Sequence, residues 1–152
     1  MNAGDASRAA VEHLTLADPI EAIATRDVVC LTVESTLADA ATVMSARRIS
    51  SVVVADDARR PVGIVTERDV LRATMRGTRR DTRLHDVQTT PVVTVAPATS
   101  IAEAQRLASR HDIRHLVLAD AEGRLVGIAS PTDFRRNLDL SLLAGRRRIV
   151  TI

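Results

Sequence analysis

Two tetrapeptides in this 152-residue chain set a hydroxyl three residues ahead of a carboxylate: Thr66-x-x-Asp69 and Ser130-x-x-Asp133. That spacing is the capping-box pattern, in which the hydroxyl accepts a backbone N–H of the first helical turn and the acid reaches back to the cap. The same carboxylates could serve as general acid or base, but no neighbouring motif gives them a bond to break. The chain holds no GxSxG elbow, no HExxH, no CxxC, no phosphate loop and no GxGxxG. All 21 of its cationic side chains are arginine, which excludes chemistry that needs a lysine amine, such as Schiff-base formation. The sequence therefore predicts a protein that is not an enzyme.

The other chemically capable side chains are scattered. His111 and His115 stand four apart with Asp112 beside them, a set that invites a metal, but a helix ending between them would put them on different faces, so no metal site is expected. His13 and His85 have no evident partner. Cys30 lies in an apolar run and reads as a small buried hydrophobe. As the sole cysteine it permits no intrachain disulfide, which suits a reducing compartment. The charges nearly balance, with 21 basic and 19 acidic residues and a net charge of +2. Phe134 is the sole aromatic ring, so a base-stacking platform has almost nothing to build on. The runs Arg79-Arg80 and Arg146-Arg147-Arg148 read as solvated surface. No apolar run approaches the roughly 20 residues that span a bilayer, and the N-terminus lacks the basic-then-apolar order of a signal peptide. The expected location is the cytoplasm, without a membrane partner.

An internal repeat positions the two tetrapeptides. A shift of 64 lays residues 49–69 on 113–133 without a gap, matching Val53 with Val117, Val62-Gly63-Ile64 with Val126-Gly127-Ile128, and Asp69 with Asp133. Upstream, Leu31-Thr32-Val33 aligns with Val93-Thr94-Val95 after a further two-residue shift. Each unit begins with a β-branched run, residues 28–33 or 92–95. A helix follows, capped by Thr36-x-x-Asp39 or Ser100-x-x-Glu103. Two short strands come next, 51–55 with 62–65 and 115–119 with 126–129, joined as antiparallel hairpins by polar links. A second helix closes each unit, over about 67–76 and 132–140. The predicted class is α+β, two β-α-β-β-α repeats with a small three-stranded sheet each. A sheet that small cannot cover both faces alone, so the two are expected to pack sheet to sheet. The expected organisation is an N-terminal extension 1–18 with a helix near residues 6–14, repeat one 19–76, a polar linker 77–83, repeat two 84–140 and a tail 141–152.

This unit resembles the CBS domain, and the tandem resembles the paired form called a Bateman module. GIVTERDVLRA at residues 63–73 and GIASPTDF at 127–134 carry the resemblance. It covers about residues 20–140 and leaves no room for an attached catalytic domain, so a protein target would have to be met in trans. The resemblance implies clefts between the repeats that bind an adenosine-containing ligand, AMP, ADP, ATP or S-adenosylmethionine, with no other cofactor. It puts the hydroxyls of Thr66 and Ser130 and the carboxylates of Asp69 and Asp133 at the ribose. A carboxylate can accept from two vicinal hydroxyls in charge-assisted bonds, and the adjoining helix N-terminus favours a phosphate. Leu31, Thr32, Val93 and Thr94 correspond to the adenine-lining segments. Arg114 and His115 correspond to phosphate contacts, where repeat one has Ser50 and Ser51, so one cleft is expected to dominate. Gly63 and Gly127 allow close packing or ligand approach. The family's frequent second-strand proline is replaced by Val53 and Val117. The resemblance further implies a homodimer. The rival reading is a protein- or nucleic-acid-interaction module that takes no small ligand.

Overall fold

A computed structural model describes residues 14–137. The anticipated N-terminal helix and the C-terminal tail lie outside the described residues, apart from Leu14. The element order is β1 (Cys30–Leu31), α1 (Leu37–Arg47), β2 (Ser51–Ala55), β3 (Pro61–Thr66), α2 (Glu67–Met75), α3 (Leu84–Val87), β4 (Thr94–Val95), α4 (Ile101–Arg110), β5 (Leu116–Ala119), β6 (Leu125–Ala129) and α5 (Pro131–Asn137). They form two three-stranded sheets, ordered β1-β2-β3 and β4-β5-β6. The class is the α+β duplication expected. None of the described helices is long and apolar enough to cross a membrane.

The duplication extends to single hydrogen bonds. In each sheet the first strand runs parallel to the second and the hairpin is antiparallel, with a bulge at Val54/Ala55 and again at Leu118/Ala119. The hairpin links are closed alike: the Asp56 carboxylate accepts the N–H groups of Ala58 and Arg60, and Asp120 accepts those of Glu122 and Arg124. Register corrects one detail of the sequence alignment. Cys30 pairs with Val53 and Thr94 with Val117, so the shift of 64 holds through the first strands and the extra two-residue offset disappears. Those strands are also shorter than the β-branched runs, because Val28 and Val92 leave the ladder to pack between the sheets.

The apolar residues sort into three clusters. Val53, Val117 and Leu125, flanked by Val28, Cys30, Ile64, Val92 and Ile128, fill the space between the sheets. The outer face of each sheet packs under its own helices, and each of these two cores is completed by the other repeat's leading segment. Ile20 and Ile23 lie in the core of repeat two with Ile101, Leu116 and Leu118. Leu84, with Val87 beside it, lies in the core of repeat one with Met44, Val52 and Val65. Matched backbone bonds fasten the exchange: Ile20 N–H donates to Thr99 O at 2.7 Å and Leu84 N–H to Ser35 O at 2.8 Å, while Thr25 bridges to Ile128 and Thr89 to Ile64.

Close crossing of these segments explains the two motif glycines. A Cβ on Gly127 would meet Thr25 O at 3.3 Å and Ala24 Cβ at 3.5 Å, and one on Gly63 would fall 2.0 Å from Gln88 Oε1. The role is packing. The Gln88 Oε1 atom is buried without a hydrogen-bond partner, whereas the matching residue in repeat one is Ala24. Gly63→Ala must expel the Gln88 side chain and is expected to cost about 1–3 kcal/mol. In a Gln88→Ala background the cost should fall below about 1 kcal/mol. Urea melts of the two single variants and the double variant measure the coupling, and additive effects would refute the clash.

A ligand cleft between the repeats

Each tetrapeptide sits where a hairpin strand hands over to a helix. Thr66, in extended backbone, caps α2: its N–H and hydroxyl both donate to Asp69 Oδ2 at 2.9 Å, and Asp69 N–H donates to Thr66 Oγ1 at 3.3 Å. At the matching turn, Ser130 N–H and its hydroxyl both donate to Asp133 Oδ2 at 2.7 Å. The capping box is complete at Thr66; at Ser130 the acid reaches back to the cap through one oxygen, and Asp133 N–H donates to the Ser130 carbonyl at 3.0 Å. Asp69 Oδ1 faces Arg72 at 3.6 Å.

The turn after β6 opens on a cleft of about 230 Å3 between the repeats. Ile128, Ser130, Thr132 and Asp133 form one wall. Thr25, Asp27, Val28 and Val29, from the segment entering β1, form another. Arg48, Ile49, Ser50 and Ser51, running from the end of α1 into β2, join His115 to complete it. Valine and isoleucine faces with a few convergent polar groups are what a small-molecule site requires, though this one is somewhat smaller than the usual range of about 300–1,000 Å3.

His115 spans the join of the repeats, with its Nε2 2.9 Å from Ser50 Oγ. Burial, and then the neighbouring Arg114 guanidinium, hold its pKa below the ordinary 6.5, against the opposing pull of Asp133, Glu67 and Asp69. The imidazole is accordingly neutral at pH 7. Because the folded value is depressed, the unfolded chain binds the proton first as pH falls, and stability present above about 6.5 is lost below it. The melting temperature is expected to decline from pH 7 to pH 5, with a shallower decline in His115→Gln. Identical slopes in the two proteins would refute this.

The structure separates the residues that the resemblance grouped. Ser130, Asp133 and His115 share the cleft, and Thr66 and Asp69 occupy the equivalent turn of repeat one. Arg114 does not line the cleft; it is exposed beside His115. Leu31 packs into the core of repeat one, and Thr32 N–H donates to Ser35 Oγ at 3.3 Å. Val93 is half-buried and Thr94 exposed. None of those four lines the cleft, where Val28 and Val29 stand instead. Val93 is the repeat-two counterpart of Val29. Arg48 is the cleft residue hardest to foresee. It caps α1 in the left-handed region at φ 54°, and its counterpart Asp112, at φ 49°, has the same conformation and the opposite charge. Helix α4 ends at Arg110 with His111 as its C-cap residue, and no cluster of potential metal ligands occurs among the described residues. Cys30 is half-buried between the sheets with its thiol pKa pushed up by burial, the structural role expected.

Fold and cleft together define a paired-repeat module whose halves exchange segments around a small-molecule-sized space. A family model described as the CBS domain matches residues 20–76 and again 84–140, and the chain belongs to that family. It is 35% identical over 106 residues to an inosine-5'-monophosphate dehydrogenase of Nitrosopumilus maritimus, a match covering 70% of this chain and 21% of that enzyme. The chain thus spans about a fifth of the dehydrogenase's length. Among solved structures, a putative acetoin utilization protein (AcuB) from Vibrio cholerae is 32% identical with a TM-score of 0.76, covering 86% of this chain and 97% of its own. The CBS domain protein PAE2072 from Pyrobaculum aerophilum, crystallised with AMP, is 28% identical with a TM-score of 0.74, covering 84% and 96%.

Proposed function

We propose that the chain is a non-catalytic regulatory module that binds an adenosine-containing ligand in the cleft at Asp133 and conveys its occupancy to a protein target. The observation that carries this reading is the meeting of the Ser130/Asp133 turn with the Val28/Val29 wall and His115 in one space. In this assignment Asp133 accepts the ribose hydroxyls, Val28 and Val29 flank the base, and His115 with Arg48 stands toward a phosphate. The AMP complex of the Pyrobaculum relative supports the ligand class. Asp69 and Thr66 mark the equivalent place in repeat one, but Asp112 there replaces Arg48, so the reading makes the two places unequal. The signal is a population shift: a ligand that touches both repeats favours one relative arrangement, and a partner that prefers it binds more tightly by the same coupling free energy.

Calorimetric titration of the full chain with AMP, ADP, ATP and S-adenosylmethionine tests the assignment. At least one should bind saturably and raise the melting temperature at ligand excess. Silence across the panel, with salt-sensitive binding of a DNA or RNA oligomer, would transfer the function to the interaction reading.

A further inference from the structure

Charge is out of balance in the cleft at Asp133. Among the described residues, the ionisable side chains that line it are Asp27, Arg48, His115 and Asp133. With the imidazole neutral, one guanidinium stands against two carboxylates, so the wall carries a formal charge of −1. A phosphate arriving as a dianion enters a space of its own sign, which Coulomb repulsion between partly desolvated groups opposes. One proton added to His115 makes the wall neutral.

His115 is placed to take that proton. Its Nε2 lies 2.9 Å from Ser50 Oγ, and a hydroxyl can donate to a bare ring nitrogen or accept from a protonated one. The contact therefore survives protonation, and the imidazolium keeps its second N–H for an anion. Ser50 is itself tied to the start of α2, because Glu67 N–H donates to Ser50 O at 3.0 Å. Burial, and then Arg114 beside it in the chain, oppose a charge on the ring, while Asp133 at the start of α5 and Glu67 and Asp69 at the start of α2 favour one. From the other cleft walls Arg48 opposes the charge and Asp27 favours it. In the free chain the opposing group prevails. A phosphate against the ring adds negative charge to the other side.

We propose that His115 is a proton-linked selector for phosphorylated ligands: the cleft takes up a proton at His115 when an adenosine ligand brings a phosphate, and none when it brings adenosine alone. The proposal rests on the ligand assignment above and adds its dependence on pH. Protonation and phosphate binding favour each other reciprocally, so affinity for AMP rises as pH falls, by at most about tenfold per pH unit for one proton. Affinity for adenosine does not gain from acid.

Calorimetric titration of the full chain with AMP and with adenosine at pH 7, in two non-phosphate buffers of different protonation enthalpy, counts the protons taken up per ligand. AMP should bind with uptake of about half a proton, and adenosine with none. His115→Gln keeps a partner for Ser50 but cannot titrate, so it reports what the ligand's own phosphate contributes near its pKa of about 6. From pH 7.5 to pH 6, AMP affinity of the wild-type chain should rise about three- to tenfold relative to His115→Gln. Imidazole NMR of the wild-type chain reads the same event without a variant: one of its four histidines should become an imidazolium when AMP is added at pH 7. AMP binding without proton uptake, equal uptake in His115→Gln, or equal uptake with adenosine overturns this proposal and leaves the ligand assignment standing. Failure of both ligands to bind at any pH overturns the two together.

Discussion

Replacing Asp133 by asparagine is expected to weaken AMP binding about 10- to 100-fold. A hydrogen bond to a charged group contributes about 1.5–3 kcal/mol, and each 1.4 kcal/mol is a factor of ten. Asparagine keeps an acceptor for Ser130 and so retains most of the cap, whereas alanine loses both functions and should also destabilise the fold by about 1 kcal/mol. Asp69→Asn supplies the internal control, since it alters the matching turn of repeat one, which does not line this cleft, and should change AMP affinity less than about threefold. Ligand chemistry gives a second control. Deoxy-AMP without its 2'-hydroxyl should bind the wild-type chain more weakly than AMP, and the difference should shrink in Asp133→Asn. Calorimetry on the three proteins with the two nucleotides completes the cycle. Unchanged AMP affinity in Asp133→Asn would remove the carboxylate from the ribose.

How far the sequence reaches is set by how local each determinant is. The hairpins were legible because their determinants lie within a few residues: alternating apolar strands, and an aspartate positioned to accept the amide four residues on, as Asp56 does for Arg60 and Asp120 for Arg124. The helix starts were legible for the same reason, since Thr36, Thr66 and Ser100 each accept the N–H predicted by their spacing. The first strands were overestimated because a β-branched run reports burial and not hydrogen bonding. Val28 is half-buried between the sheets without belonging to the ladder.

The site divides along the same line. Ser130 and Asp133 announce themselves as a tetrapeptide, and His115 as a basic residue ahead of a strand. Arg48 announces nothing, because it enters the cleft through a left-handed cap whose conformation a sequence does not print. Comparing the repeats would have helped: Arg48 and Asp112 differ in charge at one matched position after a helix. Likewise Ile20-x-x-Ile23-x-Thr25 matches Leu84-x-x-Val87-x-Thr89 at the same shift of 64. That match shows that both segments are buried, but it is silent on which repeat buries them. Gly63 and Gly127 held the missing information, as each lacks a side chain where a segment from the other half crosses.

This crossing leads to the largest expected loss of stability. Leu84→Ala should destabilise the chain by about 2–5 kcal/mol, the range for emptying a fully buried leucine site, because Leu84 is 0% exposed among Met44, Val52 and Val65 of the other repeat. Ile20→Ala should cost a similar amount by emptying the matching place in repeat two, where Ile20 is also 0% exposed. Either loss is a large share of the 5–15 kcal/mol typical of a domain. Independent repeats would each melt separately, and only the half with the cavity would be affected. Reciprocal cores make a different prediction. Both variants should retain a single cooperative transition at reduced temperature, because a repeat that loosens also releases the segment the other needs. Fragments 1–76 and 84–152 should each lack a cooperative melt alone and regain one when mixed, since the first carries Ile20 and Ile23 away from their core and the second removes Leu84 and Val87 from theirs. Differential scanning calorimetry of the variants and circular dichroism of the fragments decide the matter. Two separable transitions, or a fragment that folds unaided, would mean that the exchanged segments only decorate two self-sufficient halves.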